Sequence, residues 1–171
     1  MKIAYAFCGS FCTHAQSLQA LERLVSAGAE VLPIFSECVA NTSTRFGRNT
    51  DLALRVEALC GCEILRTISE AEDKITRGRL DALVVAPCTG NTLAKLAAGI
   101  ADGPVTLAAK AHLRNGRPLL IAPSTNDGLS ASAAAIGALL ARKYIYFVPF
   151  GQDDPRNKPA SLVADFTKIV P

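Results

Sequence analysis

Short runs of apolar residues alternate with helical segments along the chain, and this alternation constrains the fold more than any other feature. A run that stays apolar from one residue to the next is typical of a strand covered on both faces of a parallel sheet. Such runs predict strands at 2–8, 30–35, 80–86, 118–122 and 144–148, with a weaker one at 63–65.

The segments between these runs carry helix signals. Gly28 is a natural stop for the first helix, and Ser69 with Glu72 three residues later has the pattern of a capping box. Asn91 is expected to cap the helix that follows it. The predicted helices cover 15–27, 50–60, a segment opened by Ser69, 92–98, 105–114, 128–142 and 161–168.

Strands that alternate with helices predict parallel βαβ units. The expected fold class is therefore α/β, with a doubly wound parallel sheet of the Rossmann or flavodoxin-like kind between two layers of helices. If the weak strand at 63–65 is counted, the expected strand order is 3-2-1-4-5-6. Because neither repeats nor a linker interrupt the pattern, residues 1–171 are expected to form one domain.

Charge and composition argue against several classes of protein. The net charge is only +3 and the basic residues are scattered, which argues against a nucleic-acid partner. No apolar run reaches the roughly 18 residues of a membrane span, so we expect no membrane partner and a cytoplasmic location. The six cysteines form no C-x-x-C pair and only two histidines are present, so we expect no metal site and mostly buried, reduced thiols.

In open α/β sheets, ligands bind outside the carboxyl ends of the strands. The loop after the first strand contains Gly9, Ser10 and Thr13 directly before a helix. Glycine allows a close backbone approach, and hydroxyls beside a helix N-terminus favour an anion such as a phosphate. The alternative is a tight turn in which Ser10 or Thr13 only caps the helix.

Two later strands are expected to end at Ala-Pro followed by hydroxyl and amide side chains. Proline should stop each strand, and Thr89, Asn91 and Thr92 after one, with Asn126 after the other, could hydrogen-bond a heterocycle or its polyol chain. The alternatives are that Asn91 caps a helix, which is compatible with ligand binding, and that Asn126 is a turn residue.

Four further residues are candidates for the chemistry. Arg45, beside the Thr44 hydroxyl on a long loop after the second strand, could pair bidentately with a substrate carboxylate. Asp153 follows the last parallel strand and, like His14 after the first loop, could exchange a proton with a substrate. The alternatives are a solvated or interface role for Arg45, a turn or subunit-contact role for Asp153 and an incidental His14, with His112 at the surface.

The segment 86–102 resembles the signature of the FMN-binding cysteine decarboxylase superfamily, and Gly9 with Ser10 resembles its phosphate loop. That resemblance implies a flavoprotein-like domain over residues 1–171 and FMN contacts from Gly9, Ser10, Thr13, the Thr89–Thr92 segment and Asn126. Cys88 and Gly90 depart from the signature, which has alanine at both positions. The chain also lacks the decarboxylases' histidine, because no histidine lies between His14 and His112.

A narrower resemblance, to the family of the dipicolinate synthase B subunits, spans nearly the whole chain. The motifs that carry it lie at 9–13, 41–47, 124–127, 149–155 and 158–159. It implies an oxidoreductase subunit that works with the dipicolinate synthase A subunit, which holds NAD(P). Together they would oxidise a dihydrodipicolinate-type dicarboxylate to pyridine-2,6-dicarboxylate in the mother cell of a sporulating bacterium, with FMN as a cofactor of this chain. The superfamily also implies a homo-oligomer.

Two other functions stay open at this point. One is an independent FMN-dependent decarboxylase of the phosphopantothenoylcysteine type. The other is a non-catalytic protein that stabilises the A subunit and binds no cofactor.

Overall fold

A seven-stranded sheet forms the centre of the computed structural model, which describes residues 1–170. Five strands are parallel, since β1 pairs with β2 and β3, and β4 pairs with β3 and β5. The strands are β1 (Lys2–Phe7), β2 (Glu30–Phe35), β3 (Ala82–Cys88), β4 (Leu119–Thr125), β5 (Ile145–Phe147), β6 (Phe150–Gly151) and β7 (Leu162–Ala164).

The predicted strand order is confirmed once Leu65 is counted as the third strand. Leu65 forms a parallel bridge to Ile34 on the outer side of β2. Its amide donates to the Pro33 carbonyl and its carbonyl accepts from the Phe35 amide, both at 2.9 Å. The weak run at 63–65 is therefore a single bridge at the edge of the sheet rather than a full strand.

Side chains of β1 alternate between two apolar cores, one on each face of the sheet. Ala4 and Ala6 face the core that α4 to α7 cover, while Tyr5 and Phe7 face the core that α1 and α3 cover. This three-layer arrangement confirms the doubly wound fold. The helices are α1 (His14–Ser26), α2 (Glu37–Asn41), α3 (Asn49–Cys60), α4 (Ile68–Arg77), α5 (Gly90–Ala98), α6 (Pro104–Arg114) and α7 (Ala133–Leu140).

Two of the predicted helix caps are wrong. Helix α4 is capped by Thr67, whose Oγ1 accepts from the Glu70 amide at 3.2 Å, while Glu70 accepts from the Thr67 amide at 2.9 Å. The capping box thus begins two residues before Ser69. Helix α5 is capped by Thr89 instead of Asn91, because the Thr89 Oγ1 accepts from the Thr92 amide at 3.2 Å.

The last two predicted helices are also corrected. Residues 162–164 form β7, which pairs antiparallel with β4 and β6, and only Phe166–Lys168 makes a 3-10 turn. Helix α7 begins at Ala133, because the Asp127 carbonyl accepts from the amides of Ser130 and Ser132 and holds the preceding residues in turns.

The structure corrects three smaller expectations. Pro87 and Pro123 do not stop their strands, which continue to Cys88 and Thr125. His112 is buried, and its Nε2 donates to the Pro118 carbonyl at 3.0 Å. The thiols are not mostly buried: all six are free, and Cys8 and Cys88 are buried whereas Cys12, Cys38 and Cys62 are exposed.

Within residues 1–170, no helix has the length and apolar content to cross a bilayer, and no cluster of side chains suits a metal ion.

Replacing Thr67 by alanine should lower the free energy of unfolding by about 1 kcal/mol, because the Glu70 amide loses its acceptor. Ser69→Ala is the matched control and should change it by less than about 0.5 kcal/mol, since Ser69 lies on the exposed face of α4. Urea unfolding measures both values. Equal losses in the two variants would contradict the assignment of the cap.

Stability should fall as the pH drops from about 7 to about 5. Burial lowers the pKa of both His14 and His112 below the ordinary 6.5, so the unfolded chain binds more protons in this range. The stability that the two neutral histidines contribute is fully present above their pKa in the unfolded chain. It is lost as the pH falls through their lower pKa values in the folded chain. A double His14→Gln, His112→Gln variant should show a flatter profile in urea unfolding, and a flat wild-type profile would contradict the account.

Candidate functional site

A cleft of about 770 Å³ opens at the carboxyl edge of the sheet, where β1, β3 and β4 end. This volume lies within the range of small-molecule and cofactor sites, about 300–1,000 Å³. Its walls come from the loop at 9–13, the start of α5 at 89–91 and the end of β4 at 124–127, with Asp153 and Lys158 on the rim. The structure therefore brings together three loops that the sequence singled out.

A network of three hydroxyls joins the first loop to the end of β4. The Ser10 Oγ lies 2.7 Å from the Ser124 Oγ, and the Thr13 Oγ1 lies 3.2 Å from it and donates to the Ser10 carbonyl at 2.9 Å. Neither Ser10 nor Thr13 makes a side-chain cap bond to a helix, so the capping alternative for these two residues is wrong. Ser124, which sequence reasoning missed, is the buried centre of the network.

Asn91 is the amide best placed to meet a ligand in the cleft. It is the second residue of α5, it is exposed, and its side chain makes no hydrogen bond within residues 1–170. The neighbouring Thr89 and Thr92 hydroxyls lie 3.0 Å apart, so one donates to the other. Asn126 is also exposed and lines the cleft just after the end of β4.

A second lobe of about 340 Å³ adjoins the cleft and shares Gly9, Thr89 and Asn91 with it. Its far wall is formed by residues 36–38, which directly follow β2, and by the start of α6. Thr92 faces this lobe rather than the main cleft. Sequence reasoning missed residues 36–38, although the rule that picked the other strand ends applies equally to the end of β2.

Gly90 fits its site because it has no side chain. A Cβ there would lie 2.5 Å from the Ser132 Oγ, 2.7 Å from the Thr125 Oγ1 and 2.9 Å from an Asp127 carboxylate oxygen. The decarboxylase signature has alanine at this position. The polar cluster of these three side chains fills the space that the missing methyl group leaves, which gives the departure at Gly90 a structural reason.

Asp127 places a negative charge in the cleft. Its carboxylate accepts from the hydroxyls of Thr125 and Ser132, the second at 2.7 Å, and these bonds lower its pKa below the usual range. No salt bridge to Asp127 is found within residues 1–170. The carboxylate therefore stays ionised at neutral pH without a partner cation.

Asp153 lies on the rim of the cleft, and Lys158 lies beside it. The Lys158 Nζ is 3.2 Å from a carboxylate oxygen of Asp153. A hydrogen bond from Ser161 and the nearby ammonium group lower the pKa of Asp153. Lys158 is the one positively charged side chain among the described residues that line the main cleft, and sequence reasoning did not select it.

His14 does not face the cleft. Its Nε2 lies 2.8 Å from the Cys8 carbonyl, to which it donates, and its ring packs edge-on against Phe7 at 5.8 Å. Burial lowers its pKa despite that hydrogen bond. It lines a smaller pocket of about 170 Å³ on the other side of Phe11.

Arg45 and Thr44 also lie outside the cleft. Thr44 pairs with Gly47 in a small antiparallel bridge and lines the same pocket as His14. The Arg45 guanidinium is exposed and lies 4.9 Å from the ring centroid of Phe46. The residue of this hairpin that lines the main cleft is Phe46, whose aromatic ring was not among the candidates.

The family model for flavoproteins matches residues 1–136, which include the first loop, the start of α5 and the end of β4. The B subunit of dipicolinate synthase from Bacillus subtilis (strain 168) is 42% identical over 163 residues, covering 95% of this chain and 82% of that protein. The chain belongs to the flavoprotein family, on the branch of the dipicolinate synthase B subunits.

Two solved structures agree with this flavoprotein assignment. The B subunit of dipicolinate synthase from Bacillus halodurans C superposes with a TM-score of 0.89 at 39% identity, over 98% of this chain and 86% of that one. A dodecameric FMN-dependent Ubix-like decarboxylase from Escherichia coli O157:H7 superposes with a TM-score of 0.70 at 27% identity, over 87% and 80%. The resemblance drawn from the sequence motifs is thereby confirmed.

Gly90→Ala should lower the free energy of unfolding by about 1–3 kcal/mol, because the new methyl group displaces the hydrogen-bonded oxygens of the Asp127 cluster. Gly137→Ala is the matched control: nothing lies within 4 Å of its Cβ position in α7, so it should stabilise the chain by about 0.5–1 kcal/mol. Urea unfolding of both variants checks this. A Gly90→Ala variant as stable as the wild type would contradict the close packing described.

Proposed function

We propose that this chain is the B subunit of a dipicolinate synthase. With an A subunit that holds NAD(P), it would oxidise a dihydrodipicolinate-type ring to pyridine-2,6-dicarboxylate. The observation that carries the proposal is the 42% identity to a dipicolinate synthase B subunit over 95% of the chain, together with a cleft at the strand ends that the matching motifs line.

FMN is the cofactor proposed for the cleft, and the residues present fit it. Gly9 lines both the cleft and the adjoining lobe, and a Cβ there would crowd the Cys38 Sγ at 3.0 Å. The start of α5 at Gly90 and Asn91 offers backbone amides to a phosphate. The side chains of Asn91 and Asn126 could bond the ring or the ribityl chain.

In the proposed reaction a dihydropyridine dicarboxylate loses a hydride to oxidised NAD(P) on the A subunit and a proton to a base, giving the aromatic ring. FMN supplies hydride-transfer capacity when it is bound. This chain would position the ring between its strand-end loops. Asp153, ionised on the rim, is the proposed proton acceptor, and Phe46 would shield the ring from water.

A second candidate function is an independent FMN-dependent decarboxylase. The 27% identity to the Ubix-like decarboxylase favours it, whereas the missing histidine between His14 and His112 counts against it. Release of carbon dioxide from a cysteine-containing acid by the chain alone would support this function over the synthase.

Assembly and location are parts of the same proposal. The chain would form a homo-oligomer, as the dodecameric neighbour does, and would act as one flavoprotein-like domain in the mother-cell cytoplasm of a sporulating bacterium. The apolar helix α7 exposes Leu140 and offers a contact surface for another copy.

Titration of the full chain into FMN should quench flavin fluorescence saturably. A double Asn91→Ala, Asn126→Ala variant should bind FMN at least about tenfold more weakly, because two amide side chains that could bond the flavin are removed. Asn115→Ala is the matched control, since Asn115 is exposed at the end of α6 on the opposite edge of the sheet. Equal affinities in all three proteins would argue against this cleft as the flavin site.

The partner-dependent activity is tested by mixing the chain with the A subunit, NAD(P) and the dihydro precursor. Formation of pyridine-2,6-dicarboxylate should need both proteins. Full activity of the A subunit alone would contradict a catalytic role for this chain. A lower stability of the A subunit without this chain would then leave it with a stabilising role.

A further inference from the structure

The cleft carries an excess of negative charge that its proposed substrate would meet. Asp127 and Asp153 are both held ionised, whereas Lys158 is the one cation lining the cleft within residues 1–170. A dicarboxylate entering this space would be repelled by two carboxylates. A single ammonium group is left to counter that repulsion.

The loop that carries Lys158 is fixed internally. The Lys158 amide donates to the Asp154 carbonyl at 2.8 Å, and its carbonyl accepts from the Ser161 amide at 3.0 Å. The Asp154 carboxylate accepts from the Asn157 side chain at 2.9 Å, and the Gln152 amide group donates to the Pro159 carbonyl at 2.7 Å. Such a loop holds its backbone in place without a ligand.

The base of this loop is joined to the wall of the cleft. Strands β6 and β7 flank the loop and pair with each other through Gly151 and Val163, and Val163 also pairs with Ser124 on β4. Ser124 is the centre of the hydroxyl network. The position of Lys158 is therefore set relative to Ser10 and the other cleft residues by continuous backbone pairing.

The ammonium group of Lys158 has capacity left for a ligand. It has three donors, and the contact to Asp153 at 3.2 Å uses one of them. With 57% of the Lys158 side chain and 33% of the Asp153 side chain exposed, the pair is of the kind that contributes little to stability. A carboxylate can thus join or replace Asp153 at low cost.

We infer that Lys158 is the specificity-determining residue that binds a carboxylate of the heterocyclic dicarboxylate substrate and product. The inference rests on the proposed function. Lys158 lies in the segment that follows the last parallel strand, whereas the flavin phosphate has its own candidate site at the first loop and the start of α5. A free phosphate group is the other anion that could use this cation.

The test uses the full chain loaded with FMN and pyridine-2,6-dicarboxylate as the probe, with calorimetry to measure its dissociation constant. Lys158→Met should weaken binding at least about tenfold, and Lys158→Arg should retain most of it. Lys168→Met is the matched control, because Lys168 is 60% exposed and also faces an aspartate, Asp165, at 3.9 Å. The affinity of the wild type should fall with added salt more steeply than that of Lys158→Met.

The outcomes separate this inference from the proposed function. Wild type and Lys158→Met binding the dicarboxylate equally well would overturn the inference and leave the function standing. A loss of FMN affinity in Lys158→Met, with dicarboxylate binding intact, would assign the cation to the flavin phosphate and also overturn it. A wild type that binds FMN but no dicarboxylate, even when the A subunit is present, would overturn both.

Discussion

The site depends on the hydrogen bonds that the buried Ser124 hydroxyl makes with Ser10 and Thr13. This hydroxyl joins the end of β4 to a loop 114 residues away in sequence, and it satisfies Ser10 and Thr13 at once. A buried hydroxyl without a partner is costly, so the three groups hold one another in place. Because the parallel pairing of β1, β3 and β4 aligns their carboxyl ends, this contact forms one continuous wall from separate segments.

Most of the sheet could be predicted because buried parallel strands are recognisable by their unbroken apolar runs. The segment at 161–168 departs from the predicted helix. Leu162 and Phe166 have helical spacing, whereas the pairing of β7 with β4 is a tertiary contact. The start of the alanine-rich helix at Ala133, rather than at Gly128, depends on tertiary contacts as well. Residues 128–132 include one glycine and two serines, which have weak helix propensity. The Asp127 carbonyl and the packing of Gly128 against Leu162 hold them in turns.

The sequence predicts those residues of the site that directly follow a parallel strand, because ligands bind outside the carboxyl ends of such strands. Thr89 and Asn91 follow from that rule, but Thr89 caps α5 where the sequence predicts Asn91 as the cap. Lys158 and Asp127 were not selected, because their importance depends on which charges face each other across the cleft. Arg45 had suitable chemistry, but its guanidinium lies over the Phe46 ring, and Arg45 does not line the cleft.

Hydrogen–deuterium exchange of the full chain with and without FMN tests the central claim most directly, namely that the cofactor lies at the carboxyl edge of the sheet. We expect slower exchange in the peptides that cover 9–13, 89–92 and 124–127. We expect no change around 60–65, which lines a comparably large pocket at the opposite edge. Protection confined to 60–65, or protection nowhere with FMN bound, would contradict the account.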